Sequence, residues 1–187
     1  KSGCISRQLR IIIYTNSSCF TIVPIDIFTN VRNMSLTFGF YSIRDLFTKL
    51  QRDADALNEE VTTDSFFNFV VTGYSMIDWV KNDHSLPEST KDKAVIKSLY
   101  ADKWLTICGD IATASKHFVL DIRKPITSSA ISSQGFGNGR FGKVDFGEGE
   151  ESIQIQLNDG TTFHCLDLVQ GVLTSWDKFF LAHNIMS

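Results

Sequence analysis

The sequence predicts a mainly α (α+β) protein: a bundle of four or five helices with a small antiparallel β-sheet inserted before the C-terminal helix. Three observations carry this prediction. Between Ser42 and Phe118, apolar residues recur at spacings of three and four, the period of an amphipathic helix. Further on, Ile153, Ile155 and Leu157 alternate with Gln154 and Gln156, the pattern of a strand buried on one face. Helical spacing then returns from Asp167 onward. At 187 residues the chain is long enough for one domain with a sizeable core.

Residues 1–33 carry the poorest patterning. The first methionine is Met34, and regular periodicity begins just beyond it. Residues 1–33 are therefore read as a leader upstream of a natural start, and residues 34–187 as the globular domain. The competing reading gives Leu9–Tyr14 and Phe20–Val23 as short β-branched strands.

The first helix is expected at about Ser42–Glu60. Ser42 with Asp45 resembles a capping box, and Ile43, Leu46, Phe47, Leu50, Ala54 and Leu57 form one apolar stripe. The second opens at Thr63-Asp64, with Thr63 as N-cap and Asp64 beside the positive end of the helix dipole. Its apolar residues cover more than half its circumference, which predicts a central helix. Gly73 offers a place for a neighbouring helix to come close, and Lys81-Asn82-Asp83-His84 ends the segment. Ser85-Leu86-Pro87-Glu88 reads as a loop into a third helix over Lys91–Tyr100, with Ala94, Val95 and Leu99 buried. Either Asp102 caps a fourth helix, Trp104–Phe118, or the third and fourth helices run on with a bend near Tyr100.

After His117 a strand is expected at Phe118–Arg123, stopped by Pro125. Thr127–Gly142, rich in Ser and Gly, reads as a mobile loop. Strands follow at about Gly142–Phe146, Ser152–Leu157 and Thr161–Cys165. The last two form a hairpin closed at Asn158-Asp159-Gly160, because Asp-Gly accommodates the positive φ of a tight turn. Asp167 is expected to cap the final helix, which runs to about His183 on a stripe of Leu168, Val169, Val172, Leu173, Trp176, Phe179 and Phe180.

The net charge of −3 argues against a broadly basic nucleic-acid surface. Cys4, Cys19, Cys108 and Cys165 contain no C-x-x-C pair, so neither a structural zinc site nor a disulfide framework is expected. Cys108 and Cys165 fall at apolar phases, as reduced core thiols of a cytoplasmic protein do. No run reaches the roughly 20 apolar residues of a membrane span. The longest candidate, Leu9–Val31, is broken by Asn16, Ser17, Ser18, Asp26 and Asn30, and no signal-peptide pattern opens the chain.

Candidate site residues concentrate on the fourth helix. At about 100° per residue, Trp104, Ile107, Cys108, Ile111, Ser115 and Phe118 share the core side. Thr106, Asp110, Thr113 and His117 form a polar column, and Lys116 lies nearer Gly109. A carboxylate, a hydroxyl and an imidazole in one column suit general acid–base work or the positioning of a phosphate. Residues opposite an apolar face are also simply what a solvated face carries. Asp78 is either buried against Lys116 or His117, or exposed at a polar edge. His164 points away from Phe163 and Cys165 by alternation, toward solvent. Gly135–Arg140 leads into a strand and not a helix, so it is read as a hairpin loop and not a phosphate cradle. Arg140, Lys143, Arg123 and Lys124 make a modest basic patch beside it, opposed by Asp145, Glu148, Glu150 and Glu151.

A helical bundle whose late helix ends in a polar residue followed by His, here Lys116-His117, resembles the HEPN superfamily. The resemblance spans about Ser42–Phe118. It implies an RNA-cleaving or RNA-binding protein centred on His117, with Asp110, Thr113 and Lys116 in support. That family places an Arg four to six positions before the His, and Gly109–Ser115 contain none.

Two functions are therefore expected. The first is a non-enzymatic interaction or binding protein of bacterial or mobile-element type, with a protein partner or a second copy of itself and no cofactor or metal. The alternative is the HEPN-like RNA-cleaving or RNA-binding protein.

Overall fold

The structure, a computed structural model, describes residues 39–117, 124–134 and 151–185. The chain divides into two units between Gly39 and Phe40, and every described helix and strand belongs to the second. The expected strands at Phe118–Arg123 and Gly142–Phe146, and everything assigned to residues 1–33, lie outside the described residues.

Helix α1 spans Ile43–Glu59 and begins with the expected capping box. Ser42 Oγ accepts from the Asp45 N–H at 3.3 Å, and Asp45 Oδ2 accepts from the Ser42 N–H at 3.0 Å. All six apolar residues of the predicted stripe are buried.

Helix α2 spans Thr63–Asn82 and is capped by Thr62, one residue earlier than expected. Thr62 has extended backbone and its Oγ1 accepts from the Ser65 N–H at 3.1 Å. The Thr63 N–H, the first of the helix, is satisfied by Glu151 Oε2 at 2.9 Å. Either of two adjacent threonines can cap, and this tertiary partner selects the first. Phe67, one of the apolar residues of this segment, is exposed.

A 3-10 turn over Glu88–Lys91 precedes α3, Lys93–Ala101. Leu99 is buried as expected, Val95 is half-buried, and Ala94 is exposed. Ile96 packs against the core in place of Ala94. Helix α4 spans Lys103–His117. Asp102 separates it from α3: Asp102 Oδ1 accepts from the N–H groups of Trp104 at 2.9 Å and Leu105 at 3.0 Å, and from Ser175 Oγ at 2.9 Å. The fourth helix is thus capped, not run on from the third.

The segment Thr127–Gln134 is a strand, β1, where the Ser-rich composition predicted a loop. It pairs antiparallel with β2, Glu151–Leu157, in a register that sets Ala130 opposite Ile155 and Gln134 opposite Glu151, with an irregularity between Thr127 and Ser129. The reason for the difference is non-local. β1 has no alternation of large apolar residues, and its state is set by the ladder that β2 offers. Residues 135–142 of the same expected loop lie outside the described residues.

Strand β3, Thr162–His164, completes a sheet of order β1-β2-β3. Gly160 closes the β2–β3 turn at φ +86°, as the Asp-Gly pair predicts. Ile153, Ile155 and Leu157 of β2 are buried, and Gln154 and Gln156 are exposed.

Helix α5 spans Cys165–Ala182 and follows β3 without a loop. Its N-cap is His164, not Asp167. Asp167 closes a capping box from inside the helix, its Oδ2 accepting from the His164 N–H at 3.0 Å. An acid three residues into a helix can satisfy the cap's own N–H, so a lone Asp at the start of a pattern marks the first turn and not its edge.

Three glycines let the helices converge. A Cβ on Gly73 of α2 would lie 3.2 Å from Val172 of α5 and 3.3 Å from Cys108 of α4. Trp176, fully buried on α5, donates its Nε1–H to the Gly73 carbonyl at 3.2 Å. Gly109 faces the Tyr74 ring and Gly171 faces the Trp104 ring, each closer than a Cβ tolerates. The core therefore sits where α2, α4 and α5 meet, with α1 on α2 and the sheet against α4 and α5.

Candidate functional site

The polar column predicted on α4 does not form a solvated face. Ile107–Ala112 are buried without a break, so α4 is enclosed on nearly every side over this stretch. Asp110 is 2% exposed, and its Oδ2 accepts from the N–H groups of Ile126 at 2.8 Å and Thr127 at 3.2 Å. This carboxylate ties the start of β1 to α4. Its burial follows from the strand's presence, which the loop reading of residues 127–142 concealed. Thr106 Oγ1 donates to the Tyr100 carbonyl at 2.9 Å, and Thr113 is half-buried. Ser115, placed with the core side by its helical phase, is exposed. Lys116 and His117 belong to that last turn, and their side chains lie outside the described residues.

The other expected residues resolve individually. Asp78 is exposed at the polar edge of α2 and pairs with Lys81 at 2.8 Å. His164 is half-buried: its Nδ1 accepts from the Leu166 N–H at 3.3 Å, so the ring is spent on capping α5. His183 sits at the C-cap of α5 with its ring 4.7 Å from that of Phe179, and His84 is exposed. Cys108 is fully buried and donates to the Val70 carbonyl at 3.2 Å. Burial pushes its thiol well above the ordinary cysteine range, which makes it an inert core residue and not a nucleophile. Cys165 is fully buried as well. Gly135–Arg140, Arg123 and Lys143 lie outside the described residues, and Lys124 is exposed. Among the described residues no three His, Cys, Asp or Glu side chains group as metal ligands would.

A different cluster emerges from the fold. The end of α2, the 3-10 turn and α3 enclose an open groove of about 380 Å³ lined by Lys81, Lys91, Lys93, Ile96, Lys97 and Tyr100. Each element contributes for a local reason. α2 stops at Asn82, where Asp83 turns the chain by accepting from the Ser85 N–H at 2.7 Å and the Ser85 Oγ–H at 2.6 Å. Thr90 Oγ1 donates to the Pro87 carbonyl at 2.7 Å and shapes the 3-10 turn that carries Lys91. On α3, Lys93 and Lys97 are one helical repeat apart, as are Ile96 and Tyr100, so the two pairs form adjacent lines.

The lining is rich in lysine, with carboxylates at the rim. Lys81 Nζ donates to Asp78 Oδ1 at 2.8 Å and to the Tyr100 hydroxyl at 2.6 Å. Burial alone would lower its pKa, but the hydrogen bonds to Asp78 and Tyr100 outweigh that and hold Lys81 above the ordinary lysine range. Lys91 pairs with Glu88 at 2.7 Å. Lys93 and Lys97 are exposed, and among the described residues neither has a carboxylate partner. The floor is apolar, made by Ile96, the Tyr100 ring and the lysine stems. The segment Lys91–Tyr100 was legible in sequence as a charged helix. Lys81 and Lys91 come from two other elements, and only the fold brings them to it.

No family model matches the chain, and neither a curated protein nor a solved structure matches it. Among the described residues no helix is long and apolar enough to cross a membrane.

Proposed function

We propose that the chain is a non-enzymatic interaction protein whose contact surface is the groove of Lys81, Lys91, Lys93, Ile96, Lys97 and Tyr100. The observation that carries this reading is the groove itself. Four ammonium groups and one phenol surround an apolar floor, a combination that gives a partner both buried apolar area and charge complementarity. The polar residues elsewhere in the fold do architectural work. Asp83, Asp102, Asp110 and His164 each accept from backbone N–H groups at the ends of helices or strands. The buried thiols Cys108 and Cys165 favour a cytoplasmic setting.

A random peptide library displayed on phage tests this reading, selected in parallel on wild type and on a Lys93→Glu/Lys97→Glu variant. Both lysines are exposed, so the variant is expected to fold, which circular dichroism verifies. The reading predicts enrichment on wild type that disappears on the variant. No enrichment, or equal enrichment on both, overturns it.

The RNA-cleaving alternative draws on Asp110 and His117. Its test is cleavage of a mixed RNA substrate by wild type and by His117→Ala. The interaction reading predicts no cleavage by either, and cleavage lost only in the variant would favour the alternative.

A further inference from the structure

We infer that the groove takes an extended peptide segment in which acidic and apolar side chains alternate; this rests on the interaction role proposed above. The first argument is charge. Lys81, Lys91, Lys93 and Lys97 line the groove with no carboxylate among its lining residues. Two of them already hold carboxylates at the rim, Lys81 with Asp78 at 2.8 Å and Lys91 with Glu88 at 2.7 Å. Lys93 and Lys97 remain available on the exposed face of α3.

The second argument is spacing. Four residues along a helix advance about 6 Å, so the Lys93 and Lys97 positions are separated by nearly the distance between alternate residues of an extended chain, about 6.6 Å. The Ile96 and Tyr100 line runs beside them with the same repeat. An extended segment lying between the two lines sends alternate side chains to opposite sides. One set reaches the lysines and the other rests on Ile96 and the Tyr100 ring. Acidic–apolar alternation is what fits both lines at once.

Single-stranded nucleic acid fits less well. Base stacking needs an open aromatic face. Lys81 Nζ stands over one face of the Tyr100 ring, 4.9 Å from its centroid, and the Tyr74 ring meets it edge-on with centroids 6.3 Å apart, which leaves an edge for a small side chain and no full face for a base. Ile96 offers a base no stacking surface. The chain's net charge of −3 also repels a long polyanion more than it repels a short acidic segment.

The peptides enriched on wild type in the display experiment test the inference through their sequences. Asp or Glu at alternate positions, interleaved with aliphatic or aromatic residues, is the expected outcome. The most enriched peptide, fluorescently labelled, then goes into anisotropy titrations beside a labelled oligouridylate. The expected result is tighter binding by the peptide, a loss of about tenfold or more on the Lys93→Glu/Lys97→Glu variant, and a similar loss when its acids become Gln or Asn. Enriched peptides that are neutral or basic overturn the inference while leaving the interaction role standing. Tighter, lysine-dependent binding of the oligouridylate overturns it in favour of nucleic acid. Absence of any enrichment overturns the interaction role itself.

Discussion

Asp83 shows how much of this fold rests on single acceptors. It closes α2, and its Oδ2 also accepts from the Ile43 N–H at the start of α1, at 2.7 Å. With the two bonds from Ser85, one carboxylate of 8% exposure joins the end of one helix to the beginning of another. Burial pushes its pKa upward, but the hydrogen bonds from the Ser85 hydroxyl and the Ile43 and Ser85 N–H groups outweigh this and hold it below the ordinary Asp value. A depressed folded-state pKa stabilises the protein above the unfolded-state value, about 3.9, and that stability is lost as pH falls through the folded-state value. Asp83→Ala is expected to cost about 1–3 kcal/mol at neutral pH. Urea titrations at pH 7 and near pH 3 check both parts: the gap between wild type and variant should narrow in acid. A gap that stays constant would show that the carboxylate's charge contributes nothing.

Residues of this kind were unevenly legible in the sequence. Ser42 and Asp45 could be read as a capping box because both partners lie within one turn. Asp110 could not, because its partners are the N–H groups of Ile126 and Thr127, in a segment whose composition reads as loop.

At the scale of elements, helix packing is set by the glycines that face aromatic rings. A Cβ at Gly109 would stand 2.4 Å from the Tyr74 ring, and one at Gly171 would stand 2.2 Å from the Trp104 ring. At Gly73 the nearest atoms, on Val172 and Cys108, are 3.2 and 3.3 Å away, a much smaller misfit than at the two ring-facing glycines. Replacing glycine by alanine in a helix gains up to about 1 kcal/mol of propensity, while overpacking costs about 1–3 kcal/mol. Gly109→Ala and Gly171→Ala are therefore expected to lower the unfolding midpoint clearly, and Gly73→Ala to leave it almost unchanged. Chemical denaturation of the three variants checks the order. Gly73 was legible as a point of close approach because it interrupts an otherwise apolar helix. β1 was not legible, because Thr-Ser-Ser-Ala-Ile-Ser-Ser-Gln becomes a strand only through β2 beside it.

At the scale of the domain Phe40–Ser187, sequence periodicity specified the order of the helices and the position of the hairpin, since each amphipathic stripe demands a partner to bury it. It left four or five helices open, a choice that the capping of α4 by Asp102 decides. Function was less legible for a physical reason. The column on α4 was conspicuous because its residues lie in one short segment, whereas the groove draws on the end of α2, a 3-10 turn and α3. The fold ties Asp110 to the start of β1 and gathers lysines from three elements around Ile96 and Tyr100, a cluster that sequence proximity does not mark. The account stands on that groove being the contact surface. Amide chemical-shift mapping of the labelled chain, titrated with the most enriched acidic peptide, tests it most directly. Shifts concentrated in residues 81–100, centred on Lys93, Ile96, Lys97 and Tyr100, are the predicted result. Shifts centred on the last turn of α4, around Thr113 and His117, with α3 unmoved, would contradict it.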